Sequence, residues 1–120
     1  MEKENIVRER SFRFAVKVVA LSRTLSEERK EFVLSRQLLR SGTSIGANIR
    51  EADNAESKAD FIHKMSVAQK ECDETIYWLE LMNASGIISG TSSTELVDDA
   101  AEILRIIKRI IITAKASLRP

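Results

Sequence analysis

The sequence predicts an all-α protein, an up-down-up-down antiparallel four-helix bundle that occupies residues 1–120 as a single domain. Apolar residues recur every three or four positions in four separate segments, which is the spacing of amphipathic helices. No segment alternates apolar and polar residues with the period of two that is typical of strands. The chain has four glycines and one proline, Pro120, so little in it interrupts long helices.

Each predicted helix presents an apolar stripe that marks its buried face. The first helix runs over about 5–26, and its stripe consists of Val7, Phe14, Val18, Leu21 and Leu25, widened by Phe12, Ala15 and Val19. The second, over about 31–52, carries Leu34, Leu38, Ile45, Ile49 and Ala52. The third, over about 58–85, carries Phe61, Met65, Ala68, Cys72, Ile76, Leu79 and Met82. The fourth runs over about 94–117 and has a wider apolar surface.

The segments between the predicted helices indicate how neighbours are arranged. Residues 54–57 form a short link, so the second and third helices should lie side by side and antiparallel. Gly86 is the predicted stop of the third helix, because glycine readily takes the left-handed conformation beyond a helix end. Ser93 or Thr94 is the predicted N-cap of the fourth helix.

Two glycines lie inside the second predicted helix, where propensity alone would not place them. Gly42 and Gly46 are four residues apart and therefore share a face of the helix. Each costs about 1 kcal/mol relative to alanine in a helix interior. We therefore expect the backbone of this helix to lie close to a neighbouring helix at these positions.

The fourth helix has more apolar surface than a single core-facing stripe requires. One stripe consists of Val97, Ala100, Leu104, Ile107, Ile111, Ala114 and Leu118, and a second, adjacent stripe consists of Leu96, Ile103, Ile106 and Ile110. Together they span about 180°, whereas an arc of about 100° is enough to face a core. Either this helix is deeply buried, or the second stripe is a subunit interface.

We expect no enzymatic activity, metal or cofactor, because the residues that such sites need are too few. The sequence contains one histidine, His63, and one cysteine, Cys72. They are nine residues apart on one predicted helix and would point to opposite faces, which does not suit a Cys-His nucleophile pair. Di-iron and zinc sites need more histidines or cysteines than the chain supplies. Cys72 is interpreted as a core residue.

Four polar residues fall on the two central helices, Asn48 and Glu51 on one and Glu71 and Glu74 on the other. Because these helices should pack against each other, we predict that the four residues form a structural polar network that fixes the helix register. The alternative is a catalytic carboxylate pair, but no general base or metal ligand accompanies it.

Basic residues provide the binding signal of this sequence. The candidate nucleic-acid contacts are Arg10, Arg13, Lys17, Arg36, Arg40, Arg105, Lys108 and Arg109. They could contact phosphates, or they could be solvated faces interleaved with acids such as Glu9 and Glu102. A net charge of +1 gives the whole chain no bulk attraction for nucleic acid. Aromatic residues are 5% of the chain, which favours backbone contacts over stacking on single strands.

Three stretches of the sequence closely resemble the 23S rRNA intervening-sequence protein family, also called the S23 ribosomal protein family. They are LLRSGTSIGANIREA at 38–52, SKADF at 57–61, and AQKECDET with YWL between 68 and 79. The family hallmark, Ala-Asn-Ile-x-Glu, is present as Ala47 to Glu51. The chain is more distantly similar to the accessory variability determinant of diversity-generating retroelements.

The resemblance implies a four-helix bundle that assembles into a homopentamer, binds RNA or DNA and has no catalytic activity. We therefore predict a cytoplasmic, homo-oligomeric accessory protein associated with 23S rRNA intervening sequences. The alternative is an interaction scaffold, in which the oligomer docks a protein partner and the basic residues remain solvated. We expect no membrane partner, because basic residues interrupt the most apolar stretch, 103–118, well before a spanning length of about 20 residues.

Overall fold

A computed structural model describes residues 2–118 of the chain, which form four helices. Helix α1 spans Glu2–Glu27, α2 spans Val33–Asp53, α3 spans Lys58–Ala84 and α4 spans Thr91–Ala116. The described residues contain no strand. The predicted all-α fold is confirmed, and the short link between α2 and α3 lies where the sequence placed it.

The helices pack as a ring. Helix α1 contacts α2, α2 contacts α3, α3 contacts α4, and α4 contacts α1. The bundle measures 53 × 22 × 20 Å, and its long axis exceeds the roughly 40 Å of its longest helix, the 27-residue α3, at 1.5 Å per residue. Short links of four to six residues join helices of this length only if consecutive helices run antiparallel. This arrangement leaves four surface grooves, and the α1–α4 groove contains the candidate site.

The ends of α3 and α4 are both shaped by glycines. Gly86 follows α3 with a φ of 76°, and the N–H groups of Gly86 and Ile87 donate to the carbonyls of Asn83 and Met82. This left-handed termination confirms the predicted stop. The predicted N-cap of α4 at Ser93 or Thr94 is wrong, because the helix already begins at Thr91 and Gly90 is its cap. Gly90 has a φ of 87°, which favours glycine and lets the chain turn into the helix earlier than serine or threonine would allow.

The glycines inside α2 mark a close approach to α1, as predicted. A methyl carbon placed on Gly42 would lie 2.8 Å from Val18 Cγ1, and one on Gly46 would lie 3.4 Å from Ser11 Oγ. Val18 and Ser11 are themselves buried. We call this set of four residues, Ser11, Val18, Gly42 and Gly46, the small-residue contact.

The core consists of the apolar stripes predicted for α1 to α3, with two differences. Phe12 and Val19 were expected to widen the core face, but their side chains are 57% and 37% exposed. Phe12 lies on the outer side of α1, where the Arg50 guanidinium stands 5.7 Å from its ring centroid. On α3, the polar residue Thr75 is buried although it was not part of the predicted apolar stripe. Its hydroxyl donates to Ser41 Oγ at 3.0 Å.

The second apolar stripe of α4 is not a free surface. Leu96, Ile103 and Ile110 are buried inside the bundle, with Ile103 only 1% exposed, and Ile106 is half-buried. The interpretation of this stripe as a subunit interface is therefore wrong, because the stripe belongs to the core, whereas Leu118 at the end of the first stripe is 55% exposed. The reason is that α4, like every helix of the ring, packs against two neighbours, here α3 and α1, and contacts both through apolar side chains.

Candidate nucleic-acid interface

Five of the eight predicted basic residues converge on the groove between α1 and α4. Arg10, Arg13 and Lys17 line one stretch of this groove, of about 230 Å³, together with Asp99 of α4. A neighbouring stretch of about 200 Å³ is lined by basic residues from both helices, Lys3, Arg105 and Arg109. We call the six residues Lys3, Arg10, Arg13, Lys17, Arg105 and Arg109 the basic groove.

Helical periodicity explains why these side chains share one flank of α1. Lys3, Arg10 and Lys17 are spaced by seven residues, two helical turns, and therefore line up along the helix. Arg13 lies one turn from Arg10 on the same side. Lys3 was missed in the sequence, although the spacing of seven that connects it to Arg10 and Lys17 could have identified it.

Ion pairs hold half of the basic groove in place. Lys17 Nζ lies 2.8 Å from Asp99 Oδ2 and joins α1 to α4. Arg13 pairs with Glu9, and Arg105 pairs with Glu102, each within its own helix. The other three cations, Lys3, Arg10 and Arg109, make no ion pair with any residue between 2 and 118.

Positive side chains still outnumber negative ones in the basic groove despite these pairs. Six cations face four carboxylates, those of Glu9, Glu95, Asp99 and Glu102. The hydrogen bond and charge of Arg105 lower the pKa of Glu102, with smaller contributions from Arg10 and Arg109. The hydrogen bond from Lys17 to Asp99 raises the pKa of Lys17. Both groups are therefore charged at neutral pH, and the three unpaired cations remain available to an incoming anion.

The remaining three predicted contacts lie elsewhere and do not join the basic groove. Arg36 lines the groove between α1 and α2. Arg40 lies between α2 and α3, where it pairs with Glu74 and with Glu71 at 3.2 Å. Lys108 lies on another flank of α4, close enough to Cys72 for its charge to act on the thiol. Because Arg40 is already neutralised by two carboxylates, it is a weaker candidate for phosphate contact than Arg10 or Arg109.

The four predicted polar residues form separate contacts rather than one connected network. Glu71 and Glu74 share Arg40 across the α2–α3 boundary, and Glu74 also accepts a hydrogen bond from Trp78 Nε1 at 3.0 Å. Glu51 pairs with Lys64 of α3 at 2.8 Å, which raises the pKa of Lys64. Asn48 donates to the Ser44 carbonyl of its own helix at 2.8 Å. The two ion-pair groups join α2 to α3, and the role of Asn48 in register stays a prediction.

Cys72 and His63 do not come together as a reactive pair. Cys72 is fully buried, its thiol donates to the Ala100 carbonyl at 3.2 Å, and burial raises its pKa to about 12. His63 is exposed on α3. Between residues 2 and 118, no group of three or more potential ligands could hold a metal ion. None of the described helices combines the length and hydropathy that crossing a membrane requires.

Comparisons with known proteins agree with the resemblance seen in the sequence. The chain is similar to a protein of unknown function from the S23 ribosomal protein family of Bacteroides thetaiotaomicron VPI-5482, whose crystal structure was determined at 1.70 Å resolution. The TM-score is 0.89 with 50% sequence identity, over 91% of this chain and 97% of that chain. No curated protein matches the chain. The sequence profile of the 23S rRNA-intervening sequence protein family matches residues 3–109, and the chain therefore belongs to that family.

Proposed function

We propose that this protein is a non-enzymatic accessory protein that binds RNA or DNA through the basic groove and is associated with 23S rRNA intervening sequences. The observation that carries the proposal is the convergence of six cations from two helices on one groove. Three of them have no ion-pair partner within the described chain. Phosphates neutralised by such cations release counterions, which is the main source of sequence-independent affinity.

The chemistry of the groove favours contact with the nucleic-acid backbone. Phe14, the aromatic residue that lines it, is 1% exposed and belongs to the core, so it offers no ring for base stacking. Arginine and lysine side chains that reach out from rigid helices suit phosphates, which fix position and orientation without reading sequence. A structured RNA or a duplex is therefore the expected ligand.

The proposal includes a homo-oligomer, as the family resemblance implies, but the interface must lie away from the second stripe of α4. An alternative surface is the outer side of α1 and α2, where five large apolar side chains are exposed. We call this set the apolar face, and it consists of Phe12, Val16, Val19, Phe32 and Leu39. Exposed apolar side chains that share one surface mark association sites, and Val19, Phe32 and Leu39 line one groove there. In a pentamer the basic groove would be repeated five times, so weak affinity per subunit would be raised by avidity.

A second function, a scaffold that docks a protein partner, is favoured by the same apolar face. In that case the basic groove stays solvated and the apolar face receives a different protein. The two functions differ in what the protein binds once it is free of nucleic acid and in whether salt weakens that binding.

Binding to a structured RNA hairpin and to a DNA duplex, measured over a salt series, tests the proposal. Protein that has been nuclease-treated and repurified is used, and its mass in solution is recorded alongside. We expect affinity to fall steeply with salt and to fall further in Arg10→Gln/Arg13→Gln/Arg109→Gln.

The matched control is Arg23→Gln/Lys70→Gln/Lys115→Gln, which removes the same charge from other exposed positions. It should bind more tightly than the groove variant. No binding at low salt, or equal losses in the two variants, would contradict binding through the basic groove. Val16→Glu should lower the mass if the apolar face is the subunit interface.

A further inference from the structure

One carboxylate lies inside the basic groove, next to cations that are proposed to contact phosphates. Glu102 of α4 lines the same stretch of the groove as Lys3, Arg105 and Arg109. Its carboxylate pairs with Arg105, one turn further along α4. The side chain of Glu102 is 38% exposed, so it is accessible from the solvent. Three cations and one carboxylate therefore share this stretch of the groove.

The cations that act on Glu102 come from both helices. The pKa of Glu102 is lowered first by the hydrogen bond and the charge of Arg105, and then by the charges of Arg10 on α1 and Arg109 on α4. Arg10 and Arg109 make no ion pair within residues 2–118. Guanidinium groups are also the groups that bind phosphates most readily. The Glu102 carboxylate and an incoming phosphate therefore compete for the same three side chains.

Asp99 and Glu9 are less suited to this competition. Asp99 bonds to Lys17 across the gap between α4 and α1, so it helps to hold the two helices together. Glu9 does not line either stretch of the groove. The pair of Glu102 and Arg105 lies within one helix. Rotation of either side chain therefore breaks this pair without moving a helix.

Exchange of Glu102 for a phosphate is feasible because the resident ion pair is weak. Exposed pairs on a helix contribute little, since water and salt screen them and two long side chains must be ordered. Arg105 is 67% exposed, so its guanidinium can turn towards a ligand without losing a buried contact. A nucleic acid already held by Arg10 and Arg109 presents a further phosphate to Arg105 at high effective concentration.

We propose that Glu102 is an internal competitor for phosphate in the basic groove, and that a bound nucleic acid displaces its carboxylate from Arg105. The inference rests on the proposed function, because it concerns the same groove. In the free chain Glu102 holds Arg105. In the complex Arg105 contacts a phosphate, and Glu102 faces the solvent. Glu102 thus lowers the affinity that the cations of the groove provide.

Binding of an RNA hairpin and of a DNA duplex to the full chain, measured by fluorescence anisotropy over a salt series, tests the proposal. Glu102→Gln removes the charge and keeps the size of the side chain. It should bind about fivefold to tenfold more tightly than the unchanged chain at low salt, because a repulsion is removed and Arg105 becomes free. On the duplex its logarithmic salt slope should be steeper by about 0.9, which corresponds to one more phosphate contact.

The matched control is Glu80→Gln, which removes the same charge from an exposed position on α3, outside the basic groove. It should change the affinity by less than about twofold and leave the salt slope unchanged, because distant charges are screened. Arg105→Gln provides a second comparison. In that background Glu102→Gln should tighten binding by less than about twofold, because the cation that Glu102 occupies is gone.

The results distinguish failure of this inference from failure of the proposed function. Equal affinity and equal salt slope in Glu102→Gln and the unchanged chain would overturn the inference and leave nucleic-acid binding intact. An undiminished gain in the Arg105→Gln background would also overturn it, because Glu102 would then act only as a general negative charge. No binding by any of these proteins at low salt would overturn the proposed function and the inference with it.

Discussion

Helix α1 contacts its two neighbours in different ways. Toward α2 it meets glycines so closely that a single added methyl group at Gly42 would stand 2.8 Å from Val18. Toward α4 it is separated by grooves lined with lysine and arginine, and a salt bridge between Lys17 and Asp99 crosses the gap. The first side fixes the position of the helix by the size of its residues, whereas the second leaves charge and space at the surface. The close packing that fixes the helix and the proposed nucleic-acid contacts therefore lie on opposite flanks of α1.

The largest expected effect on stability is that of adding a methyl group to the small-residue contact. Gly42→Ala should lower the free energy of unfolding by about 1–2 kcal/mol, because overpacking outweighs the gain in helix propensity. Val18 is fully buried and β-branched, so it cannot easily move aside. Urea unfolding of the purified variant measures the change. In a Val18→Ala background the same substitution should no longer be destabilising, and an undiminished penalty there would contradict the assigned clash.

The alkylation rate of Cys72 should respond to a destabilising change on the α2 flank of α1 but not to a change on the α4 flank. Burial raises the pKa of this thiol to about 12, so it stays protonated at pH 8 and reacts only when the bundle opens. A loss of about 1–2 kcal/mol in Gly42→Ala should accelerate alkylation by iodoacetamide about 5–30-fold. Arg10→Gln, on the other flank, should leave the rate close to that of the unchanged chain. Rapid alkylation of the unchanged chain would show that Cys72 is not enclosed.

A smaller effect of opposite sign is expected one turn along α2. A methyl carbon on Gly46 would lie 3.4 Å from Ser11 Oγ, an ordinary contact distance. Gly46→Ala should therefore raise the free energy of unfolding, by up to about 1 kcal/mol through helix propensity. The comparison of the two alanine variants in the same urea experiment tests whether tightness is confined to Gly42. Equal destabilisation by both would mean that the whole contact is tight.

The smallest effect is expected in the basic groove. Lys17 and Asp99 are about half exposed, so a double-mutant cycle should give a coupling of about 0.2–1 kcal/mol that salt weakens. Because the pKa of Lys17 is raised in the folded protein, the contribution is fully present below its ordinary value of 10.5. It is lost as the pH rises through the folded-state pKa. A coupling that persists in molar salt would contradict an exposed pair.

Sequence patterns predicted what depends on helix geometry and residue size. The two glycines in α2 conflict with helix propensity, and that conflict correctly located the close approach to α1. The spacing of Arg10, Arg13 and Lys17 correctly placed them on one flank. The same reasoning mistook Phe12 for core, because the edge of an apolar arc depends on how far the neighbouring helix reaches around it.

Other features depend on tertiary contacts that no single segment contains. The width of the apolar arc on α4 could not show whether a second subunit or helix α1 covers Ile103. Which cations are neutralised follows from partners distant in sequence, as in the pair of Arg40 with Glu71, thirty-one residues apart. The pocket lined by Leu21, Ile88 and Leu96 was not expected either, since it arises where α1, the link after α3 and the start of α4 meet.

Mapping the RNA contact on the protein tests the central claim most directly. Amide chemical shifts of the isotope-labelled chain are recorded during titration with a short RNA hairpin at low salt. The account predicts changes along α1 around Arg10 and along α4 around Arg105 and Arg109, with little change around Gly42. Changes confined to the α2–α3 side, or no changes at saturating RNA, would contradict the assignment of nucleic-acid binding to the basic groove.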